Sequence, residues 1–286
     1  MNERISDWSP RRIEQLEALL TERDSVILES LEQFRALSTR LVQRLHFPAG
    51  DHGLHATTVT ATRLTNRVLL RLEGHGFIAR IARRIGGATR GSAATTWHLA
   101  ATGERLLRAR RGDPSRRRYV TPSSAFLAHT LEIAEFATTV REEELAQHFE
   151  VLELETEPAC WRPFQGHAGL VTLKPDLFLV IANSEVEAHA FIEIDRDTVH
   201  LPTVLNKCRT YLRYRQTGTE QASSGVFPAV LWIAPDQSRA DKLRAAIRRD
   251  PELPDDLFTI CETVDAIRAL ARLIEPSPVT RKEVSP

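Results

Sequence analysis

The strongest constraint on the fold is a nearly all-apolar segment near the C-terminus, Phe227 to Ala234. Its centre, Val230-Leu231-Trp232-Ile233, lacks the alternation of apolar and polar residues that a strand with one face in water shows. Such a segment predicts a strand that is buried on both faces, as in a sheet covered by helices.

The segments around this strand predict the element order αβββαβαβα in the C-terminal half. A long amphipathic helix runs from Pro122-Ser123 to about Gln147. The other predicted elements are strands at Val151–Thr156, Leu170–Ile181 and Glu187–Asp195, helices at Leu201–Arg215 and Gln237–Arg249, a short strand at Phe258–Cys261 and a last helix to Leu273. This order predicts a mixed sheet covered by helices.

The N-terminal half begins with strong helix-start signals. Ser9-Pro10 provides an N-cap and a first-turn proline, and Thr21 to Asp24 forms a capping box. A third helix runs from about Ser38 to Leu45, and a fourth follows that Thr58 or Thr60 can cap and that Gly74 and Gly76 end. Two strands, at 77–85 and 95–99, then form a hairpin. Helices followed by such a hairpin predict the winged variant of the helix-turn-helix, in which the last helix contacts the major groove. The basic stretch from Arg105 to Arg118 is interpreted as a linker.

Charge is distributed unevenly, although the chain as a whole has no net charge. The stretch from Thr62 to Arg118 contains 14 Arg, no Lys and three acids, a net charge of +11, so the remainder carries −11. Such asymmetry indicates a basic binding surface and predicts double-stranded DNA as a partner. The predicted DNA-contacting residues are Arg63, Asn66, Arg67 and Arg71 on the last helix and Arg83, Arg84 and Arg90 on the wing. A solvated Arg-rich surface and a protein-interaction module remain alternatives.

Two carboxylates follow a pattern that suits a divalent cation. Pro175-Asp176 lies near a turn between strands, and Glu193-Ile194-Asp195 lies on the next strand. Adjacent strands can bring such carboxylates together, and hard oxygen ligands suit magnesium. The motif and the element order resemble the PD-(D/E)XK nucleases. That resemblance implies a site formed by Asp176, Glu193 and Asp195 that binds Mg²⁺ or Mn²⁺ and cleaves DNA.

The sequence departs from the nuclease pattern at one position. Where the resemblance implies Lys, two residues after Glu193, the chain has Asp195. An additional acid can be a ligand but cannot supply positive charge. Lys207, in the following helix, is the predicted replacement, and Arg196 is the second candidate. In the alternative interpretation, the three acids are a turn residue at a strand end and exposed positions on an edge strand.

The order of these motifs along nearly the whole chain also resembles the replication-relaxation family. The resemblance rests on the capping-box segment, the winged helix, Pro175-Asp176, Glu193-Ile194-Asp195-Arg196 and Lys207 with Tyr211 and Tyr214. It implies a protein of a plasmid or mobile element that acts in replication or DNA relaxation. Tyr211 and Tyr214 are interpreted as core or helix-surface aromatics.

The sequence therefore predicts an α+β protein with two domains. Residues 1–118 form a winged-helix DNA-binding domain with a basic linker, and residues 119–286 form an α/β domain that resembles the PD-(D/E)XK nucleases. A cytoplasmic location without membrane contact is expected, because no apolar run is long enough to cross a bilayer. The three cysteines have no CxxC or CxxH partner and are expected to be buried thiols.

Three functions remain open at this stage. The first is a metal-dependent DNA endonuclease of a mobile element. The second is a non-catalytic regulator or replication accessory protein that uses the nuclease-like fold for DNA binding or dimerisation, and a homodimer is kept as an alternative assembly. The third is a toxin-like or defence nuclease.

Overall fold

The computed structural model describes residues 9–81, 95–113, 124–166 and 169–275. The chain divides into two compact units, residues 1–138 and 139–286. The predicted domain boundary, between residues 118 and 119, falls outside the described residues and stays a prediction. No described helix has the length and apolar character needed to cross a membrane.

The first unit is built mainly from helices that begin at the predicted caps. The Ser9 side chain accepts from the Arg12 N–H, and Thr21 and Asp24 form the capping box. The helices are α1 (Pro10–Glu17), α2 (Glu22–Gln33), α3 (Thr39–His46), α4 (Thr58–Gly74) and α5 (Ala101–Arg110). These caps satisfy backbone N–H groups at the helix starts, which lack intrahelical partners.

A small antiparallel sheet completes the first unit. Its strands are β1 (Leu37–Ser38), β2 (Ile78–Arg80) and β3 (Thr96–Leu99), in the order β1-β3-β2. The predicted hairpin pairing is therefore present between β2 and β3. The wing residues Arg83, Arg84 and Arg90 lie outside the described residues.

The structure corrects the predicted linker. Residues 105–110 belong to α5 rather than to an irregular connection. Leu106 and Leu107 are buried. The helix backbone at Gly103 lies so close to Phe77 that a Cβ atom at this position would be only 2.3 Å from the Phe77 carbonyl oxygen. Leu106 and Leu107 therefore pack this helix into the core of the unit. The helix was not predicted because the many Arg residues around these two leucines suggested an exposed linker.

The second unit contains a mixed five-stranded sheet, which confirms the α+β class. Its strand order is β10-β9-β8-β7-β4, with the β8–β9 and β9–β10 pairs parallel and the others antiparallel. The strands are β4 (Glu150–Thr156), β7 (Leu177–Ala182), β8 (Glu187–Ile194), β9 (Ala229–Ala234) and β10 (Phe258–Glu262). The apolar strand β9 lies inside the sheet, as its composition predicted.

The remaining described helices of the chain are α6 to α10. The long helix α6 (Ser124–Leu145) crosses the division between the two units, and the remaining helices lie within the second unit. These are α7 (Leu201–Gln216), α8 (Thr219–Ser224), α9 (Gln237–Arg249) and α10 (Ala266–Ala271), with 3₁₀ turns at Thr263–Asp265 and Arg272–Ile274. Buried residues of α7 and α9 share a core with Phe178, Phe191 and Trp232 of the sheet.

The predicted strand from Leu170 to Ile181 is wrong as a single element. It is two strands, β6 (Gly169–Leu173) and β7, and β6 pairs with an unpredicted strand, β5 (Arg162–Gly166). The break falls at Lys174-Pro175-Asp176. Since proline has no N–H to donate to a strand ladder, Pro175 separates a two-stranded hairpin from the central sheet.

Candidate functional site

An acidic pair lies where β7 begins and β8 ends. The Asp176 backbone N–H donates to the Ile192 carbonyl oxygen at 3.1 Å, and its Oδ2 accepts from the Ile194 N–H at 2.7 Å. Glu193 lies between those two residues on β8 and is 1% exposed. The antiparallel pairing of β7 and β8 thus holds the two carboxylates at neighbouring positions, as the sequence spacing predicted.

Lys207 joins this pair from the covering helix α7. Its Nζ donates to Glu193 Oε2 and lies 3.9 Å from Asp176 Oδ1. The structure therefore brings Asp176, Glu193 and Lys207 together, with one oxygen of each carboxylate directed towards a single ammonium group. Solvent reaches this cluster at Lys207, whose side chain is 30% exposed.

Tyr211, which was interpreted as a core or helix-surface aromatic, also belongs to this cluster. Its hydroxyl donates to Glu193 Oε1 at 2.6 Å, and the residue is fully buried. Tyr211 follows Lys207 by four positions, so both side chains lie on one face of α7. That spacing is the signal in the sequence that could have identified it.

Burial dominates the electrostatics of the cluster. It raises the pKa of Glu193 to about 8, a shift that Asp176 increases and that Lys207 and the Tyr211 hydroxyl oppose. Burial alone would lower the pKa of Lys207, but the carboxylates of Glu193 and Asp176 outweigh it and raise that pKa. Burial and the Glu193 charge raise the pKa of Tyr211 well above its usual value, so the hydroxyl stays protonated and donates.

This raised pKa predicts a pH-dependent stability. A carboxyl group with a higher pKa in the folded chain binds its proton more tightly there, so the stabilisation is present at low pH and is lost as pH rises. We expect the free energy of unfolding to fall as the pH rises from about 4.5 to about 8, because over that range the folded chain keeps the Glu193 proton more tightly than the unfolded chain does. Urea denaturation across that range should show the slope in the wild type and its loss in Glu193→Gln.

The matched control for this measurement is Glu187→Gln. Glu187 lies on the same strand, but its side chain is 54% exposed. It should keep the wild-type slope, whereas equal slopes in wild type and Glu193→Gln would contradict the assignment.

The structure corrects the predicted surroundings of Asp195. Its Oδ2 accepts from Arg239 Nη2 at 2.8 Å and from Arg239 Nε at 3.1 Å, and its Oδ1 accepts from the Asp197 N–H at 2.5 Å. Both side chains of this ion pair are almost completely buried. Arg239 also donates to the Val199 carbonyl oxygen at 2.7 Å, so the pair fixes the connection between β8 and α7.

The carboxylates of the cluster are possible ligands for a divalent cation. No group of three or more His, Cys, Asp or Glu side chains that could hold a metal ion is found in the described part of the chain. Magnesium, however, is commonly bound by one or two carboxylates together with water. Asp176 and Glu193 supply two such carboxylates that already face one positive charge, so these residues fit a magnesium ion without Asp195.

The second candidate surface is the exposed face of α4. Its exposed residues Val59, Arg63, Asn66, Arg67 and Leu70 follow helical spacing along one side. Among the described residues, Arg63, Asn66 and Arg67 have no ion-pair or hydrogen-bond partner. Two guanidinium groups and an amide are therefore available on this face for an external ligand.

Arg71 is placed differently from the prediction. Its Nη2 donates to both oxygens of the Asp24 carboxylate, at 2.6 and 2.7 Å, and Asp24 is 1% exposed. The same carboxylate accepts from Thr21 in the capping box of α2. Arg71 thus links α4 to α2, and its guanidinium group is paired although its side chain remains 37% exposed.

Several other Arg residues of the basic stretch are also neutralised by acids. The pairs are Arg80–Glu73, Arg108–Asp113, Arg110–Glu17 and Arg111–Glu32. Two of these acids come from α1 and α2, outside the stretch that carries the net charge. Fewer Arg residues are therefore available to contact DNA than the net charge of the stretch suggested.

Comparison with known proteins gives one match. A family model described as replication-relaxation matches residues 28–230, which include α4 and the cluster of Asp176, Glu193, Lys207 and Tyr211. No curated protein and no solved structure matches the chain.

Proposed function

Since the chain belongs to the replication-relaxation family and has the replication-related role that this family implies, we propose that it binds DNA and cleaves it with magnesium. In this proposal the protein belongs to a plasmid or another mobile element. The first unit binds double-stranded DNA as a winged helix, and the second unit is a nuclease of PD-(D/E)XK type. The observation that carries the proposal is the convergence of Asp176, Glu193 and Lys207.

Each residue of the cluster has a role that follows from its contacts. Asp176 and Glu193 would hold the ion, which supplies polarisation of a phosphodiester and activation of water. The Ile194 N–H fixes the Asp176 carboxylate, and Tyr211 fixes that of Glu193. Lys207 supplies the positive charge that the pair needs when a phosphate approaches, the role that Asp195 cannot fill.

The ion pair of Asp195 and Arg239 is a structural element in this proposal. It holds residues 195–199 at the end of β8, and α7 with Lys207 and Tyr211 begins directly after this connection. Asp195 is therefore left out of the metal-binding set.

DNA binding is assigned to the exposed face of α4. The order of helices and the β2–β3 hairpin support a winged helix, in which this helix enters the major groove. Arg63 and Arg67 suit guanine or phosphate, and Asn66 suits adenine. The wing residues Arg83, Arg84 and Arg90 remain predicted phosphate or minor-groove contacts.

Replacing Arg63 and Arg67 with Ala should weaken DNA binding. If they contact bases, each change should cost roughly 1–3 kcal/mol on a duplex selected by the wild type and relax its sequence preference. If they contact phosphates, the loss should be similar on all duplexes, and the slope of log K against log salt should flatten by about 1–2 units. Fluorescence anisotropy at several salt concentrations measures both quantities.

Arg111→Ala is the control for this experiment. Arg111 is also an exposed Arg of the first unit, but it is paired with Glu32. Its variant should keep wild-type affinity. Wild-type affinity and salt slope in the Arg63/Arg67 double variant would refute α4 as the DNA-contacting helix.

A specific observation also favours a second candidate, a non-catalytic replication accessory protein. Lys207 neutralises Glu193 without any ion, so the cluster can serve as a structural ion pair inside a DNA-binding or dimerisation module. Cleavage of supercoiled plasmid by the full chain separates the two candidates. The nuclease should produce nicked or linear DNA with Mg²⁺ or Mn²⁺ and none with EDTA, whereas the accessory protein should produce neither.

A further inference from the structure

Trp232 is a buried residue next to the cluster of Asp176, Glu193, Lys207 and Tyr211, and it has no role in the proposed mechanism. It lies on β9 directly opposite Glu193 in the parallel β8–β9 pairing. The residue is 4% exposed, and its Nε1 is buried without a hydrogen-bond acceptor among the described residues. Its ring lies beneath Lys207, with Nζ 5.9 Å from the ring centroid.

An unpartnered indole N–H at this place is informative because of its chemistry. The indole nitrogen can only donate, and buried donors in folded proteins nearly always have an acceptor. The neighbouring Phe191 and Phe178 fill the same apolar core without a polar atom. Packing alone therefore does not require a polar N–H at position 232.

The surroundings indicate which acceptor is missing. Two charged side chains of the cluster, Glu193 and Lys207, already bind each other, and Glu193 also accepts from the Tyr211 hydroxyl. Solvent reaches the cluster at Lys207, directly above the indole ring. A ligand that enters there meets an ammonium group first, which selects an anionic group rich in acceptor oxygens, such as a phosphate.

We propose that the Trp232 indole N–H donates a hydrogen bond to a phosphate oxygen of DNA held at Asp176, Glu193 and Lys207. This inference rests on the proposed function, and it adds a neutral donor on the β9 side of the site. Such a donor binds the phosphate without changing the charge balance of the two carboxylates. Trp232 is then a substrate-contacting residue of the second unit.

The test uses the full chain labelled with ¹⁵N-tryptophan. The Trp232 indole resonance is assigned from its absence in Trp232→Phe and followed as a short DNA duplex is added with Ca²⁺, which should support binding without turnover. Hydrogen bonding should move the proton resonance downfield at saturating DNA. With Mg²⁺, Trp232→Phe should slow cleavage roughly ten- to hundredfold, while the variant keeps a cooperative melt close to that of the wild type.

Trp161→Phe is the matched control. The Trp161 Nε1 is also buried without a partner, but its ring contacts Lys174 rather than Lys207. The Trp161 resonance should stay in place on DNA addition, and its variant should cleave at the wild-type rate.

The outcomes separate this inference from the proposed function. A wild type that cleaves DNA, with an unmoved Trp232 resonance and an unaffected Trp232→Phe, would overturn the inference and leave the nuclease intact. A downfield shift in a protein that never cleaves would support the phosphate contact and exclude the nuclease. An unmoved resonance without cleavage would overturn both, and a marked loss of melting temperature in Trp232→Phe would show that the indole is a packing residue instead.

Discussion

Glu193→Gln is expected to abolish metal-dependent cleavage of supercoiled plasmid while leaving DNA binding unchanged. The substitution keeps the size of the side chain but replaces one oxygen of the most buried carboxyl group in the cluster with an NH₂ group, which cannot bind a cation. Changes to residues that merely orient a metal ligand cost about 10–100-fold, so loss of a ligand itself should cost roughly a hundredfold or more. The rate of nicking with Mg²⁺ and the affinity for a labelled duplex are the two measurements.

Glu187→Gln again provides the control from the same strand. Its rate should equal that of the wild type, because Glu187 lies at the far end of β8 and pairs with His189. Full cleavage by Glu193→Gln would exclude Glu193 as a ligand. Equal loss of cleavage and of DNA binding would indicate a folding defect, which the melting temperature of the variant identifies.

Asp195→Ala is expected to destabilise the second unit strongly. It would leave Arg239, whose side chain is 6% exposed, without the carboxylate that accepts three of its hydrogen bonds. Removing one partner of a buried ion pair typically costs about 3–5 kcal/mol. The remaining contact of Arg239 with Asp197, at 2.9 Å, should keep the loss near the lower end of that range. The midpoint of urea denaturation, followed by tryptophan fluorescence, measures the effect.

Two further variants make this prediction specific. Asp241→Ala, which breaks an exposed pair with Arg244 on the same helix, should cost less than about 1 kcal/mol. The double change Asp195→Leu with Arg239→Met should recover much of the stability, since apolar residues can replace a buried pair. If Asp195→Ala instead keeps wild-type stability and loses metal affinity, Asp195 is the ligand that the sequence pattern predicted.

The elements with local signals were predictable from the sequence. The caps at Ser9 and Thr21 depend on side chains within three residues of the backbone groups that they bind, and the structure contains both. The apolar composition of β9 likewise placed it inside the sheet. The β5–β6 hairpin was missed because apolar residues lie on both sides of Lys174-Pro175-Asp176, and only pairing with β5 shows where β6 ends.

The candidate site was predictable where spacing along the chain determines proximity. Asp176 and Glu193 are brought together by two adjacent strands, and Lys207 lies on the helix that follows. Asp195 shares the strand periodicity of Glu193, but its partner Arg239 is 44 residues away on α9. No local pattern in the sequence indicates such a contact.

Contact between residues far apart in the sequence also explains why Arg71 differs from its prediction. Arg71 has the helical spacing of an exposed residue next to Arg67, and the buried carboxylate of Asp24 that binds it comes from another helix, 47 residues earlier. Counting charges along the chain cannot distinguish an Arg that faces solvent from one that holds two helices together. Arg63 and Arg67 keep their predicted exposure, and no acid among the described residues pairs with them.

The most direct test of the nuclease proposal is a calorimetric titration of Mn²⁺ into the full chain. The titration measures the heat of Mn²⁺ binding in the absence of DNA, so its result does not depend on which DNA the protein cleaves. We expect one site per chain in the wild type and in Glu187→Gln, and its loss in Glu193→Gln. A wild type that binds no Mn²⁺, or a Glu193→Gln variant that binds it as tightly as the wild type, would contradict a metal-dependent site at Asp176 and Glu193.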